Sequence, residues 1–270
     1  MNPMVSTDPA SGTVAGRLAG RRVLVTGSSK GIGRGIALRV AQEGADVVIN
    51  YNSDPGGAEE ALADVQALGR RAAIVKANLG SLAEVHDLMA RSVEALGGID
   101  VLVNNAGIEK YAPFWDVTEA EFDAVIDLNL KGVFFATQAF VRHCRAAGRG
   151  GKVINISSVH EDLAFPNFAA YCASKGALRM LARTLAVELG PLGITVNNIA
   201  PGAIETPINA KLLSDPVKLA ALRAQIPLGR LGTPGDVAGL AAFLASSDSD
   251  YATGGTYFVN GGLTVHYEEQ

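Results

Sequence analysis

Short apolar runs alternate with longer amphipathic stretches along most of this chain. Arg22–Thr26 (RVLVT) is aliphatic and β-branched and reads as a buried strand. Ile32–Glu43 spaces its apolar residues as a helix does and is stopped by Gly44. The alternation repeats, with strands at Asp46–Tyr51, Ala72–Lys76, Ile99–Asn104, Gly151–Ile156, Ile194–Asn198 and Thr256–Val259. Between them, helices are predicted at Pro55–Leu68, Leu82–Leu96, Glu119–Ala147, Ala169–Leu189 and Pro234–Ala245. Strands that are apolar almost throughout must be buried on both faces. Seven of them joined by helical crossovers predict an α/β fold, a doubly wound parallel sheet flanked by helices. With no repeat or internal linker, residues 18–270 are expected to form one domain. Residues 1–17, rich in Ser, Thr, Gly, Pro and Ala, are expected to be a flexible tail and lack the apolar core of a secretory signal.

Composition narrows the partners. Hydrophobic residues make up 48% of the 270, ample for such a core. A net charge of −4 with acids and bases interspersed argues against nucleic acid or an anionic membrane surface. No run of the ~18 apolar residues that a membrane span needs is evident. Cys144 and Cys172 are the only cysteines and lack metal-ligand spacing, so reduced thiols in the cytoplasm, and no metal, are expected.

The candidate chemistry begins between the first strand and first helix, at Thr26-Gly27-Ser28-Ser29-Lys30-Gly31-Ile32-Gly33. Glycines there allow a tight turn, close approach of a pyrophosphate and close packing of helix on strand, and the helix N-terminus offers N–H groups to phosphate. The end of the second strand is expected to meet a ribose. Asn50 stands there with no carboxylate to repel a 2′-phosphate, and Lys30 can supply a cation, so NADP is favoured, with NAD also possible. Asn104-Asn105-Ala106-Gly107 closes the fourth strand with small and amide residues that let a cofactor pass.

Tyr171 and Lys175, four residues apart on a predicted helix, share one face. A phenol titrates near ~10, and a neighbouring ammonium is expected to lower that value into a range useful for proton transfer. Ser158 ends the fifth strand, where its hydroxyl can hold a substrate oxygen. Asn129, in Asn129-Leu130-Lys131-Gly132, is a candidate to hold a water linking Lys175 to solvent.

The motifs Thr26 to Gly33, Asn104 to Gly107, Ser158, Tyr171-Cys-Ala-Ser-Lys175 and Pro201-Gly202 stand in the order and spacing of short-chain dehydrogenases/reductases. The chain resembles that family from Leu18 to Leu263. The resemblance implies a Rossmann-type sheet and an NAD(P)-dependent oxidoreductase acting on CH–OH groups of a small-molecule substrate. It implies a catalytic set of Asn129, Ser158, Tyr171 and Lys175, with Lys175 also holding the nicotinamide ribose. Cofactor contacts are implied along the glycine loop, at Asn105, Ala106 and Gly107, and at Pro201, Gly202, Ile204 and Thr206 near the carboxamide. Asn78 and Leu79 should lie near adenine, where the family usually has Asp in place of Asn78. Members are commonly homotetramers built on the two long helices and the last helix and strand.

Within the family, Asn105–Glu109, Ser157–Glu161 and Pro201–Asn209 most resemble the glucose-oxidising enzymes. Glu109, His160, Glu161 and Asn209 could ring the mouth with polar groups suited to a polyhydroxylated substrate. A reductase of 3-oxoacyl thioesters is the alternative, with Arg142, Arg145 and Arg149 as a candidate patch for an acidic carrier. A non-catalytic cofactor-binding regulator is a third reading, opposed by the presence of all four catalytic residue types.

Overall fold

Successive side chains on a strand face opposite ways, and here each side of the sheet is covered by helices. The structure, a computed structural model, describes residues 16–207 and 213–265. The strands are β1 (Arg22–Val25), β2 (Asp46–Tyr51), β3 (Ala72–Lys76), β4 (Val101–Asn104), β5 (Gly151–Ile156), β6 (Ile194–Pro201) and β7 (Thr256–Val259). All pair in parallel in the order β3-β2-β1-β4-β5-β6-β7. Val23, Val25, Val47 and Ile49 face α1 (Gly31–Gln42), α2 (Pro55–Ala67) and α8 (Pro234–Ala245). Leu24, Val48, Leu102 and Val153 face α3 (Leu82–Leu96), α5 (Val133–Ala146) and α6 (Ala169–Leu189). This is the expected α/β fold, a Rossmann-type sheet of seven parallel strands between two helical layers.

Two elements depart from expectation. The helix expected at Glu119–Ala147 is α4 (Glu119–Ile126) and α5 joined by a π turn over Asp127–Gly132. A further helix, α7 (Pro216–Ala224), has no counterpart in the sequence reading. By length and composition alone the stretch Glu119–Ala146 would suffice to cross a membrane, contrary to the expectation that no segment would. Its apolar side instead packs on the sheet through Ala136, Phe140 and Cys144.

The N-terminal edge of the sheet is tied by Asp100, which accepts from the Arg22 backbone N–H at 2.9 Å and the Arg22 Nε at 2.8 Å and also pairs with Arg149. Arg17, in the expected tail, pairs with Glu43 at 2.8 Å.

Candidate active site

The C-terminal ends of β1, β4, β5 and β6 converge at one edge, where parallel sheets of this type carry their ligands. After β1 the chain turns through Gly27 (φ 60) and Gly31 (φ 58), a left-handed conformation that favours glycine. A Cβ on Gly33 would lie 2.4 Å from both the Gly27 carbonyl oxygen and Asn105 Nδ2, so only glycine lets α1 close on its loop. Lys30 precedes α1 without a side-chain capping bond, leaving the positive end of the helix turned to the loop. Thr206 comes within van der Waals contact of the Cβ position of Gly31, which brings the segment after β6 to the loop. Pro201 is buried at the end of β6, Gly202 packs against Asn260, and Ile204 is buried and bridges to Gly232.

The loop is braced from behind. Asn105 Nδ2 donates to the carbonyls of Thr26 (2.8 Å) and Gly27 (3.0 Å), and the N–H groups of Asn105 and Ala106 both donate to Thr26 Oγ1. The Cα of Ala106 sits 3.0 Å from the Cβ position of Gly27. Ser29 is buried and Ile32 packs on the core. Glycines that hold a narrow cradle open beside a helix N-terminus fit a pyrophosphate, so Gly27 to Gly33 are the residues that would hold a dinucleotide.

The expected ribose contact by Asn50 is corrected. Its side chain is turned inward: Oδ1 accepts from Gly27 N–H at 3.0 Å, and Nδ2 donates to the carbonyls of Val75 (3.1 Å) and Ala77 (3.2 Å). Asn50 thus fastens the glycine loop to β2 and β3, and Asn52 and Ser53 are the exposed residues at that strand end. Sequence reasoning also missed Asp54, which caps α2 and lies 4.0 Å from the exposed Lys30 Nζ. Asn78 Oδ1 accepts from Gly80 N–H at 3.0 Å, and the Leu79 side chain lies in the core.

Ser158, Tyr171 and Lys175 come together. Lys175 is buried, its Nζ donates to the Ile156 carbonyl at 2.9 Å and lies 5.5 Å from the centre of the Tyr171 ring. The Ser158 hydroxyl is in hydrogen-bonding reach of the Tyr171 phenol and also accepts from His160 N–H at 3.2 Å. The expected direction of the Tyr171 shift is reversed. Burial pushes the phenol up to about 12, the bond from Ser158 opposes this, and the charge of Glu109 adds to it. Burial also lowers Lys175 to about 8, with the Glu161 carboxylate opposing. Asn129 sits in the π turn, a local widening often found at functional sites. Its side chain is held by three hydrogen bonds. Oδ1 accepts from Ile108 N–H at 2.9 Å, and Nδ2 donates to the Ile108 carbonyl at 2.8 Å and to Ser174 Oγ at 3.2 Å. It clamps the segment carrying Gly107 and Glu109 to α6.

Of the four polar residues expected at the mouth, Glu109 and His160 lie near Tyr171. Glu109 is partly buried, which raises its carboxyl above the usual range. His160 lies 6.3 Å from the Tyr171 ring, and burial lowers its imidazole, with the bond to the Leu163 carbonyl opposing. Glu161 is corrected: its side chain is wholly buried behind the catalytic group, near Arg179 and Asn198. Asn209 lies outside the described residues. The sequence reading missed an aromatic column in which His160 stacks on Phe165 (4.2 Å), Phe165 on Phe168 (4.1 Å), and Tyr111 meets Phe168 edge-on. The Ala112 N–H bond to the Asn167 carbonyl (2.9 Å) joins the two loops that carry these rings.

These features coincide with a family model described as enoyl-(acyl carrier protein) reductase, which matches residues 27–264. The chain belongs to the short-chain dehydrogenase/reductase family and is an NAD(P)-dependent oxidoreductase acting on CH–OH groups. It is 45% identical to 3β-hydroxysteroid dehydrogenase 1 of Eggerthella lenta, over 92% of this chain and 95% of that one. It is 40% identical to glucose 1-dehydrogenase of Gluconobacter oxydans, over 93% of this chain and 94% of that one. The crystal structure of a gluconate 5-dehydrogenase from Burkholderia cenocepacia, in complex with NADP and tartrate, matches with a TM-score of 0.87. The two are 39% identical, over 93% of this chain and 98% of that one.

Proposed function

We propose that this protein oxidises the anomeric hydroxyl of glucose or a related aldose, using NADP at least as well as NAD. The observation that carries the reading is the meeting of Ser158, Tyr171 and Lys175 at the end of β5, on the same edge of the sheet as the glycine loop after β1. The nicotinamide, when bound, supplies the hydride acceptor or donor. Tyr171 as phenolate takes the proton of the substrate hydroxyl, Ser158 holds the substrate oxygen, and the Lys175 ammonium favours the phenolate. Lys175 would also hold the nicotinamide ribose, and Asn129 keeps the Gly107–Glu109 segment against α6. Thr206, Ile204 and the Pro201-Gly202 turn would border the carboxamide.

Glu109 and His160 support a polyhydroxylated substrate, because each sugar hydroxyl that enters the site must regain a hydrogen bond or cost roughly 1–3 kcal/mol. The aromatic column supports a second reading, a flat apolar alcohol, which agrees with the name of the hydroxysteroid relative. A carrier-bound thioester has less support: Arg149 is engaged by Asp100, and Arg142 and Arg145 line a groove between α5 and α6. Cofactor reduction should be measured with aldoses, polyols and hydroxysteroids, and cofactor oxidation with a 3-oxoacyl thioester. Turnover of an aldose supports the first reading, turnover of hydroxysteroids alone replaces it with the second, and turnover of the thioester alone removes both. For cofactor choice, Lys30→Ala should raise KM for NADP about tenfold while leaving KM for NAD nearly unchanged. Equal changes for both would refute the preference.

A further inference from the structure

Glu161 directly follows the turn that carries Ser158, yet its carboxylate is folded into the interior. Behind it lies a row of amides. Asn104, Asn155 and Asn198 occupy matching positions on β4, β5 and β6. Asn104 Nδ2 donates to Asn155 Oδ1 at 2.9 Å, Asn155 Nδ2 donates to Asn198 Oδ1 at 3.0 Å, and Asn198 Nδ2 reaches Glu161 Oε2 at 3.5 Å. Every amide thus turns its donor end toward the carboxylate. In such a row each hydrogen bond polarises the next, and the carboxylate is its final acceptor.

The partner expected of so buried a carboxylate is not fully engaged. Glu161 Oε1 lies 3.7 Å from Arg179 Nε, and neither atom has a hydrogen-bond partner. The Arg179 guanidinium pairs with Asp162 instead. An ion pair retained for stability would close that gap. Lys175 lies one turn before Arg179 on α6, and the Cβ position of Gly176 beside it is 4.0 Å from the Glu161 carbonyl oxygen, so the turn that carries Glu161 packs against the Lys175 end of the helix.

We propose that Glu161 is a positioning residue, a buried carboxylate anchored through the asparagine row to three strands, which keeps the Lys175 ammonium charged and set beside Tyr171. The inference rests on the roles given above to Tyr171 and Lys175. The groups around the pair are Tyr171 and Arg179 on α6, Asn198 on β6, and Ser157 and Ser158 after β5. His160 and Asp162 flank Glu161, and Glu109 lies beyond Tyr171. Burial depresses Lys175, and the charge of Glu161 opposes that depression. Asp162 is already paired with Arg179.

The test reads Lys175 itself. Protein carrying lysine labelled with carbon-13 at the ε position is titrated by NMR without cofactor, the Lys175 signal being identified by its loss in Lys175→Met. Glu161→Gln should move the Lys175 titration down by about one pH unit or more. Arg179→Met, which removes the competing cation, should move it up. In the same Glu161→Gln protein, kcat for alcohol oxidation near pH 7 should fall about tenfold with little change in KM for cofactor. A merely structural role would not produce opposite shifts in the two variants. An unmoved Lys175 titration in folded Glu161→Gln overturns the proposal. Should that variant not fold, Arg179→Met decides, and the absence of an upward shift overturns it. The titration is read without turnover, so full activity in Tyr171→Phe would sink the catalytic reading separately.

Discussion

In the proposed reaction the substrate proton goes to the Tyr171 phenolate, which must form against a burial that pushes the phenol up to about 12, beside an amine lowered to about 8. Removing the phenol should therefore stop proton transfer and leave the cradle intact. Tyr171→Phe is expected to lose ~10²-fold or more in kcat, with cofactor affinity by fluorescence titration unchanged. The buried amine has a stability consequence as well. Its folded value lies below its ordinary 10.5, so the fold bears the burial of the ammonium in full below about 8, and stability from this group rises with pH between 8 and 10.5. Lys175→Met should thus be inactive and should lack the rise in stability that the native chain gains from this group between pH 8 and 10.5, as read by denaturant unfolding. Residue types and spacings disclosed this cluster, but not the sign of the Tyr171 shift, because spacing counts the neighbouring cation and not the depth of burial. The same blindness misplaced Asn50 and Glu161. Position along the chain says which loop a side chain belongs to and not whether it turns to the cleft or the core.

Among the elements, the loop between β1 and α1 has the least tolerance. Gly33→Ala would drive a methyl group to 2.4 Å from the Gly27 carbonyl oxygen and Asn105 Nδ2, so loop and helix must part. The variant should lose at least ~10-fold in cofactor affinity by calorimetric titration and about 2 kcal/mol in stability. Unchanged cofactor binding would show that the loop closes by another route. Elements with an apolar stripe were legible within a residue or two, as at Leu82–Leu96 and Ala169–Leu189. Helix α7 escaped because none of its residues is buried, and a helix that covers no core leaves no stripe to read. The π turn escaped because one widened turn leaves the surrounding helical spacing almost unaltered. The aromatic column joins rings from loops far apart in sequence, and no local pattern announces such a meeting.

For the whole molecule, we propose a homotetramer. Phe134 is exposed in the groove between α5 and α6, Met180 and Val187 are exposed on α6, and Phe258 is exposed on β7. Apolar faces of this kind suit closed two-fold assembly. Light scattering at micromolar concentration should give four chain masses, and a monomer there would rule this assembly out. The strand order also governs the hours and seconds before any assembly exists. During synthesis β1 emerges early and can pair with β2 and, through it, β3, but its other edge belongs to β4, which begins only at Val101. Until then the growing chain carries an unpaired strand edge that is apolar from Val23 to Val25, the kind of template on which neighbouring chains aggregate. A chain cut short ahead of Val101 would therefore expose the open edge of β1 that the complete sheet buries at its centre.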